Sequence, residues 1–448
     1  MSIQVQIICK KSILLFWSVC LVVTAYPQNG SPLLAHYRES NEAENQNWAI
    51  CQDDNRIMMF ANKRGILTFD GHNWDFIRIQ VVPCAMKYKP DIRRVFIGSE
   101  NNFGYIERNE KGFYNYYSLS PDSVNPGLVT RICFTDSTVW FWSERAVSRY
   151  NQVTGHTDLY LNSQDGKLFT GLFVMPGKTF INVQNEGLCR LESDTLFPVV
   201  TGHLLKDTQV LFSLPYDSKH ILLGLEGGKL LLFDGIKFFS YQIKDEGYLQ
   251  QNYLSGGIAV SDSLYAFSTL DGGVIIAEKN TGKVLHIINY ARGLPDDEVY
   301  ALGMDNNGGL WISHQYGLTR ADLVLPVGNF NIYPGLKGNL TGSVVHNNEL
   351  YVSTSEGVFY LAEEKQYIQV EVLVREEPLV PAAVEVAEQP AEQLQEKQDQ
   401  KEKQQVIQQP EKTRRSLLSR IFGRKTAQPE PAKKESRKET GQTELQKV

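Results

Sequence analysis

Between Tyr26 and about Glu371 apolar residues come in runs of four to seven or alternate with polar ones, and Gly, Asn and Asp punctuate the runs. Apolar positions three and four apart, the mark of an amphipathic helix, are almost absent. The pattern predicts strands and turns throughout, an all-β chain. One stretch shows the logic. Val299 to Met304 reads as a first strand, Asp305-Asn306-Asn307-Gly308-Gly309 as its turn, Leu310-Trp311-Ile312-Ser313 as a second strand, Leu318 to Leu323 as a third and Phe330-Asn331-Ile332-Tyr333 as a fourth. Near the other end Trp48 to Cys51, Ile57 to Ala61 and Ile66 to Phe69 fill the same slots, with Asn62-Lys63-Arg64-Gly65 between the second and third.

The same unit recurs along the whole stretch. Aligned on the Gly that precedes the third strand, its anchors are Gly65, Gly104, Ala146 in the Gly slot, Gly187, Gly227, Gly272, Gly317 and Gly357. Their spacing, roughly 42 residues, is the length of a four-stranded propeller blade. The expectation is a single β-propeller of four-stranded blades: eight by the count of units, with seven blades and a stray element as the second reading. Leu33 to Tyr37, ahead of the first unit, looks like a displaced fourth strand. Such a strand would close the ring and leave no open edge to aggregate.

Two segments flank this region. Lys10 and Lys11 precede the apolar run Ser12 to Ala25, which ends in Val23-Thr24-Ala25. That is the layout of a secretory signal, so residues 1–25 are expected to be a signal peptide and the protein periplasmic or otherwise exported. Residues 26–375 are the expected propeller. In residues 376–448 Gly nearly vanishes and Gln, Glu, Lys and Pro dominate, as in a disordered charged tail. Its halves differ in sign: Glu376 to Glu411 carries −6 and Lys412 to Val448 carries +7. Leu417, Leu418, Ile421 and Phe422 share a helical face ringed by Arg within residues 412–425, which suits weak contact with an anionic membrane surface.

A formal net charge of −6 gives no general attraction to phosphate backbones, so no nucleic-acid partner is expected. With six Cys in 448 residues there is no disulfide scaffold, no zinc spacing is present, and Cys51, Cys84, Cys133 and Cys189 read as buried free thiols. Asp305-Asn306-Asn307-Gly308 resembles a calcium-loop fragment but lacks the downstream Glu and falls in a hairpin turn. No motif calls for a metal, a cofactor or a catalytic residue.

Recognition is the better reading. In a propeller the loops between second and third strands open on one face with the connections between blades, and ligands commonly sit there. These loops are polar and differ from unit to unit, which singles out Asn62, Arg64, Asn101, Asn102, Glu144, Arg145, Asn185, Glu186, His314 and Tyr316 as candidate ligand-binding residues. Trp142 joins them, with Trp48, Phe103 and Tyr316, as aromatics able to stack on a sugar ring; core packing is the alternative for each. Amide, carboxylate, guanidinium and aromatic groups together suit a small extracellular ligand of the glycan class. The competing readings are a propeller enzyme acting on polysaccharide, a lyase or hydrolase, and a protein-docking scaffold. His314, Tyr316, Arg145 and Glu144 meeting within hydrogen-bond reach across one cavity would favour an enzyme, and dispersed groups a binding site.

Gln46-Asn47-Trp48-Ala49-Ile50 through Phe60-Ala61-Asn62 and Gly65 to Phe69-Asp70-Gly71 and Trp74 resembles the opening blade of the two-component-regulator propeller family. Gly308 to Leu318, with Leu310-Trp311-Ile312-Ser313 and Tyr316-Gly317-Leu318, resembles that family's repeat. The resemblance covers roughly Pro32 to Glu371. It implies a non-enzymatic periplasmic sensor region of a Bacteroidetes-type regulator that responds to polysaccharide-derived or related cues. Such regulators continue into a three-tyrosine β-sandwich, a membrane span and an output domain. None of these is recognisable here, so the expected partner is a membrane-bound signalling protein or an output domain missing from this chain.

Overall fold

The computed structural model describes residues 30–38, 43–121, 125–161, 168–192, 194–245, 247–325, 327–329, 335–347 and 349–360. The expected signal peptide, the tail and the basic stretch 412–425 lie outside them. The chain divides into two compact units, one up to Pro334 and one from Gly335 onward.

The first unit holds seven four-stranded antiparallel sheets. Blade 1 is Asn47–Gln52, Met58–Asn62, Gly65–Phe69 and Trp74–Ile77; blade 2 runs from Pro83–Lys89 to Tyr114–Ser118, and blade 3 from Arg131–Phe134 to Thr157–Leu161. Blade 4 runs from Phe169–Met175 to Thr195–Pro198, blade 5 from Val210–Pro215 to Phe238–Tyr241, and blade 6 from Leu254–Ala259 to Val284–Ile288. The first strands touch one another in sequence order, and that of blade 7, Val299–Met304, touches that of blade 1. The result is a closed ring.

Blade 7 takes its outer strand from the other end of the ring. Leu33–Tyr37 pairs antiparallel with Gly317–Asp322, from Leu33 opposite Asp322 to Tyr37 opposite Leu318. The displaced strand expected from sequence is therefore this one. Phe330 to Tyr333, expected in that slot, lies outside the described residues. The eighth repeat forms a three-stranded sheet, Leu340–His346, Glu349–Thr354 and Gly357–Tyr360, in the second unit. Seven four-stranded blades and one further element is thus the arrangement among the described residues.

Why these residues form these strands follows from what covers them. A second strand has a blade on each side, so both of its faces are buried and it reads as a continuous apolar run. Met58–Asn62 and Ile221–Leu225 are buried at every position. Outer strands have a solvent edge and are half-exposed, as in Phe238–Tyr241. The core is correspondingly not central: it is divided into seven clusters, each lying between two neighbouring blades. Blades 7 and 1 are joined by Trp311, Leu318, Phe60, Leu67 and Phe69, with Tyr37 stacked on Trp311 at 5.0 Å between ring centroids. Each fully buried Phe or Leu in such a seam contributes about 1.5–3 kcal/mol.

The repeated glycine has a steric cause. At Gly187, φ is +97° and a Cβ would lie 2.2 Å from the Gly202 carbonyl oxygen. In blade 6 the equivalent residue is Gly273, whose Cβ would meet the Ile288 carbonyl at 2.1 Å, one position beyond the Gly272 anchor chosen from sequence. At these two glycines the third strand starts where the backbone beyond it passes too close for a side chain.

Candidate functional site

The alternation of strands places the loops between second and third strands, and the connections between blades, at one end of the ring. Backbone hydrogen bonds lock the two sets together. The Asn101 N–H donates to the Gly127 carbonyl at 2.9 Å, Phe169 to Glu144 at 2.8 Å, Asn185 to Lys206 at 2.9 Å and Glu226 to Gln209 at 2.9 Å. Between blades 7 and 1 the link is through side chains: Gln46 Nε2 donates to Gln315 Oε1 at 2.7 Å, and the Tyr300 hydroxyl donates to the same oxygen at 2.6 Å. This rim is a fixed backbone frame that presents side chains.

In the loops of blades 1, 3, 6 and 7 the first polar residue belongs to the frame. Asn62 is fully buried; its Nδ2 donates to the Glu44 carbonyl at 2.6 Å and to Asn47 Oδ1 at 2.9 Å, and its Oδ1 accepts from the Glu44 N–H at 3.1 Å and the Arg64 N–H at 3.3 Å. Ser143 Oγ accepts from the Ala146 N–H at 2.9 Å, and Thr269 Oγ1 from the Gly272 N–H at 3.0 Å. His314 does the same with its ring, Nδ1 accepting from the Tyr316 N–H at 3.2 Å. A short or planar polar group here satisfies turn N–H groups that water does not reach.

The expectation that Asn62, His314 and Trp142 face a ligand is therefore corrected. All three are buried, and Trp48 and Phe103 are buried with them. Trp142 packs in the seam between blades 3 and 4. Asn102 is half-buried, its Oδ1 accepting from the Tyr116 hydroxyl at 2.8 Å and Ser118 Oγ at 3.0 Å. Arg64, Asn101, Arg145, Asn185, Glu186 and Tyr316 are exposed on the rim, and Glu144 is half-exposed. Asn101 and Asn185 hold left-handed backbone, φ +58° and +65°, which Asn tolerates better than most residues. No hydrogen bond or ion pair among the described residues joins His314 or Tyr316, on blade 7, to Glu144 or Arg145, on blade 3.

His314 is the buried end of a relay instead. Its Nε2 lies 2.8 Å from Thr319 Oγ1, which is 2.9 Å from His36 Nδ1 on the closing strand. With the Tyr316 N–H aimed at Nδ1, the proton of the neutral ring sits on Nε2 and donates to Thr319, whose hydroxyl is left to donate to His36. Burial pushes the His314 pKa down to about 4, with Asp296 opposing and His36 adding to the shift. On the same side of the rim burial, then Asp296 and Asp271, raise the pKa of Asp297, whose Oδ1 accepts from the Tyr290 N–H at 2.6 Å.

A residue that sequence reasoning missed ties three blades together at their first strands. Six of the seven first strands shift register near their start; that of blade 3 does not, Arg131 pairing directly with Trp142. Arg131 reaches two blades onward. Its Nη1 donates to the Leu172 carbonyl at 3.3 Å in blade 4, and its Nη2 to the Val210 and Leu211 carbonyls at 2.7 and 2.5 Å in blade 5. Those last two lie at the bulge of blade 5, where the ladder leaves backbone groups unpaired. The available signal was an Arg opening the otherwise apolar run Ile132-Cys133-Phe134.

The turn Asp305 to Gly309 is not a cation loop. Asp305 is buried and accepts from Gly309 N–H at 2.8 Å, Trp311 Nε1 at 2.9 Å and Arg320 Nε at 2.6 Å. Burial works against its charge, but the bonds from Arg320, Gly309 and Trp311 outweigh it and hold its carboxyl below the usual range.

Residues 293–316 match the sequence profile of the two component regulator propeller family. The fold is similar to the extracellular domains of two proteins assigned as hybrid two component systems in B. thetaiotaomicron. One has 16% identity and a TM-score of 0.54, over 74% of this chain and 48% of that one. The other has 13% identity and a TM-score of 0.52, over 73% and 45%. The chain thus spans about half the length of those domains. Virginiamycin B lyase from Staphylococcus aureus is also similar, at 12% identity and a TM-score of 0.50, over 65% of this chain and 99% of the lyase. No curated protein matches by sequence.

Proposed function

We propose that this chain, which carries a two component regulator propeller repeat, is the ligand-binding input part of an extracytoplasmic sensor rather than an enzyme. The observation that carries this is the rim: a frame tied together by backbone and side-chain hydrogen bonds, from which Arg64, Asn101, Arg145, Asn185, Glu186 and Tyr316 project. Its cation, amide, carboxylate and aromatic groups suit an oligosaccharide, each hydroxyl finding a donor or acceptor and a ring face finding Tyr316. That no hydrogen bond or ion pair among the described residues joins His314 or Tyr316 to Glu144 or Arg145 supports binding over catalysis. Signal output then belongs to a membrane-bound partner or to a part of the regulator outside this chain, and the setting is periplasmic.

The test is thermal unfolding of the full chain against a panel of oligosaccharides, repeated with Arg145→Ala and Tyr316→Ala. A ligand specific to the folded state stabilises it by about 2.7 kcal/mol at a hundredfold excess over Kd. A selective shift that both substitutions remove is the expected result. Turnover of any oligosaccharide in the panel would overturn the reading in favour of a lyase or hydrolase.

A further inference from the structure

On the end of the ring opposite that rim, an open cleft of about 470 Å³ lies between blades 5 and 6. Pro215 and Ala259 close the first strands of the two blades there, and Val260, Ser261 and Asp262 form the following turn. The volume lies within the range of small-molecule sites. Its walls are pinned: the Tyr265 hydroxyl donates to the Pro215 carbonyl at 2.6 Å and the Tyr241 hydroxyl to the Lys279 carbonyl at 2.9 Å.

The charges in this cleft are arranged unevenly. Lys279 Nζ stands 5.5 Å from the centre of the Tyr216 ring and 5.8 Å from that of Tyr265, held over both faces. Among the described residues no carboxylate lies within ion-pair distance of it, although two acids line the same cleft. Asp217 is committed elsewhere, accepting from the Lys219 and His220 N–H groups, both at 2.7 Å, and pairing with His220 Nδ1 at 2.9 Å. Asp262 is exposed and has no hydrogen-bond partner among the described residues. One oriented cation, one aromatic wall and one open acceptor therefore face the same space.

We infer that this cleft is a second binding site, for a small hydroxylated carboxylic acid of the uronic acid type. The carboxylate would take the Lys279 ammonium in a charge-assisted hydrogen bond, the apolar ring face would lie on Tyr216, and hydroxyls would donate to Asp262 and exchange with Ser261. A neutral sugar fills the same space but leaves Lys279 unanswered. The site does not depend on what the opposite rim binds.

Calorimetric titration of the full chain with D-glucuronate and with D-glucose tests it. Saturable glucuronate binding is expected, with glucose weaker by at least about tenfold, the discrimination of one charge-assisted contact. Lys279→Met should cost a similar factor while Lys279→Arg keeps most of the affinity, and Asp262→Asn should weaken binding with folding unchanged by circular dichroism. Equal binding of glucose, or glucuronate binding that survives Lys279→Met, overturns the inference. So does a folded chain that ignores glucuronate; an oligosaccharide response that still needs Arg145 would then leave the sensor reading standing while this site falls.

Discussion

The guanidinium of Arg131 lies 4.9 Å from the ring centre of Trp142, its direct neighbour across the first ladder of blade 3. The indole supports the charge from one side while three carbonyls of blades 4 and 5 accept from it on another. Burial lowers the Arg131 pKa from its ordinary value, and no carboxylate contributes to the balance. Arg131→Met keeps the stem and removes the donors, which strands the carbonyls at the blade 5 bulge. A loss of about 2–4 kcal/mol is expected, since a buried acceptor left without a partner costs about 1–3 kcal/mol. Urea unfolding checks this; a loss under about 0.5 kcal/mol would show that water replaces the guanidinium.

Two windows of pH act through different residues. His314 has a folded pKa near 4, below the unfolded value of about 6.5. As pH falls below 6.5 the unfolded chain gains a proton that the folded ring refuses, since a proton on Nδ1 would oppose the Tyr316 N–H. Stability should drop by about 2 kcal/mol between pH 7 and pH 5. His314→Gln should flatten this decline, measured as the urea midpoint against pH.

Asp305 acts lower. Its folded pKa is depressed, so its contribution is fully present above the unfolded value of about 3.9 and is lost as pH falls below that. Asp305→Ala strands Trp311 Nε1 and Arg320 in a largely buried site and should cost about 3 kcal/mol at pH 7, within the range for breaking a buried pair. Asp305→Asn should cost less. A variant that unfolds at the same urea concentration as the parent at pH 7 would remove Asp305 from the account of blade 7.

Gly187→Ala should destabilise by about 2 kcal/mol or more, because the added Cβ meets the Gly202 carbonyl and the positive φ is strained as well. Thermal unfolding distinguishes this from Gly177→Ala, where φ is also positive but nothing lies within 4 Å. Equal effects at the two sites would mean that backbone strain alone is at work.

The thiols give a separate check. Cys84, Cys133 and Cys189 are buried and Cys51 half-buried, all unpaired. Burial, with Asp53 and Glu100 nearby, pushes Cys51 and Cys84 up to about 12. These four should resist a thiol reagent at pH 8 in the native state and react on unfolding. Fast native labelling of any of them, mapped by peptide mass, would contradict the blade seams described.

Strands covered on both sides were legible as apolar runs, and Leu310-Trp311-Ile312-Ser313 was read as a second strand because nothing polar interrupts it. The closing strand was legible because Leu33 to Tyr37 had no partner nearby in sequence. The rim was half legible. Loop polarity was evident, but Asn62 and His314 spend theirs on their own turns, a choice set by N–H groups that face them only once the hairpin forms. Arg131 was out of reach for another reason: its acceptors lie 41, 79 and 80 residues away, and proximity across a ring leaves no mark in local pattern.

The latch of blade 7 has a direction. Leu33 pairs with Asp322 at the end where the chain comes into the ring and also leaves it. Tension between those two points would not shear the ladder as a whole; it would open it like a zipper, one pair at a time from Leu33 toward Tyr37. A ring held against heat by seven apolar seams is thus mechanically soft at a single place, and pulling on its two ends would release the five residues of Leu33–Tyr37 before disturbing any blade from 1 to 6.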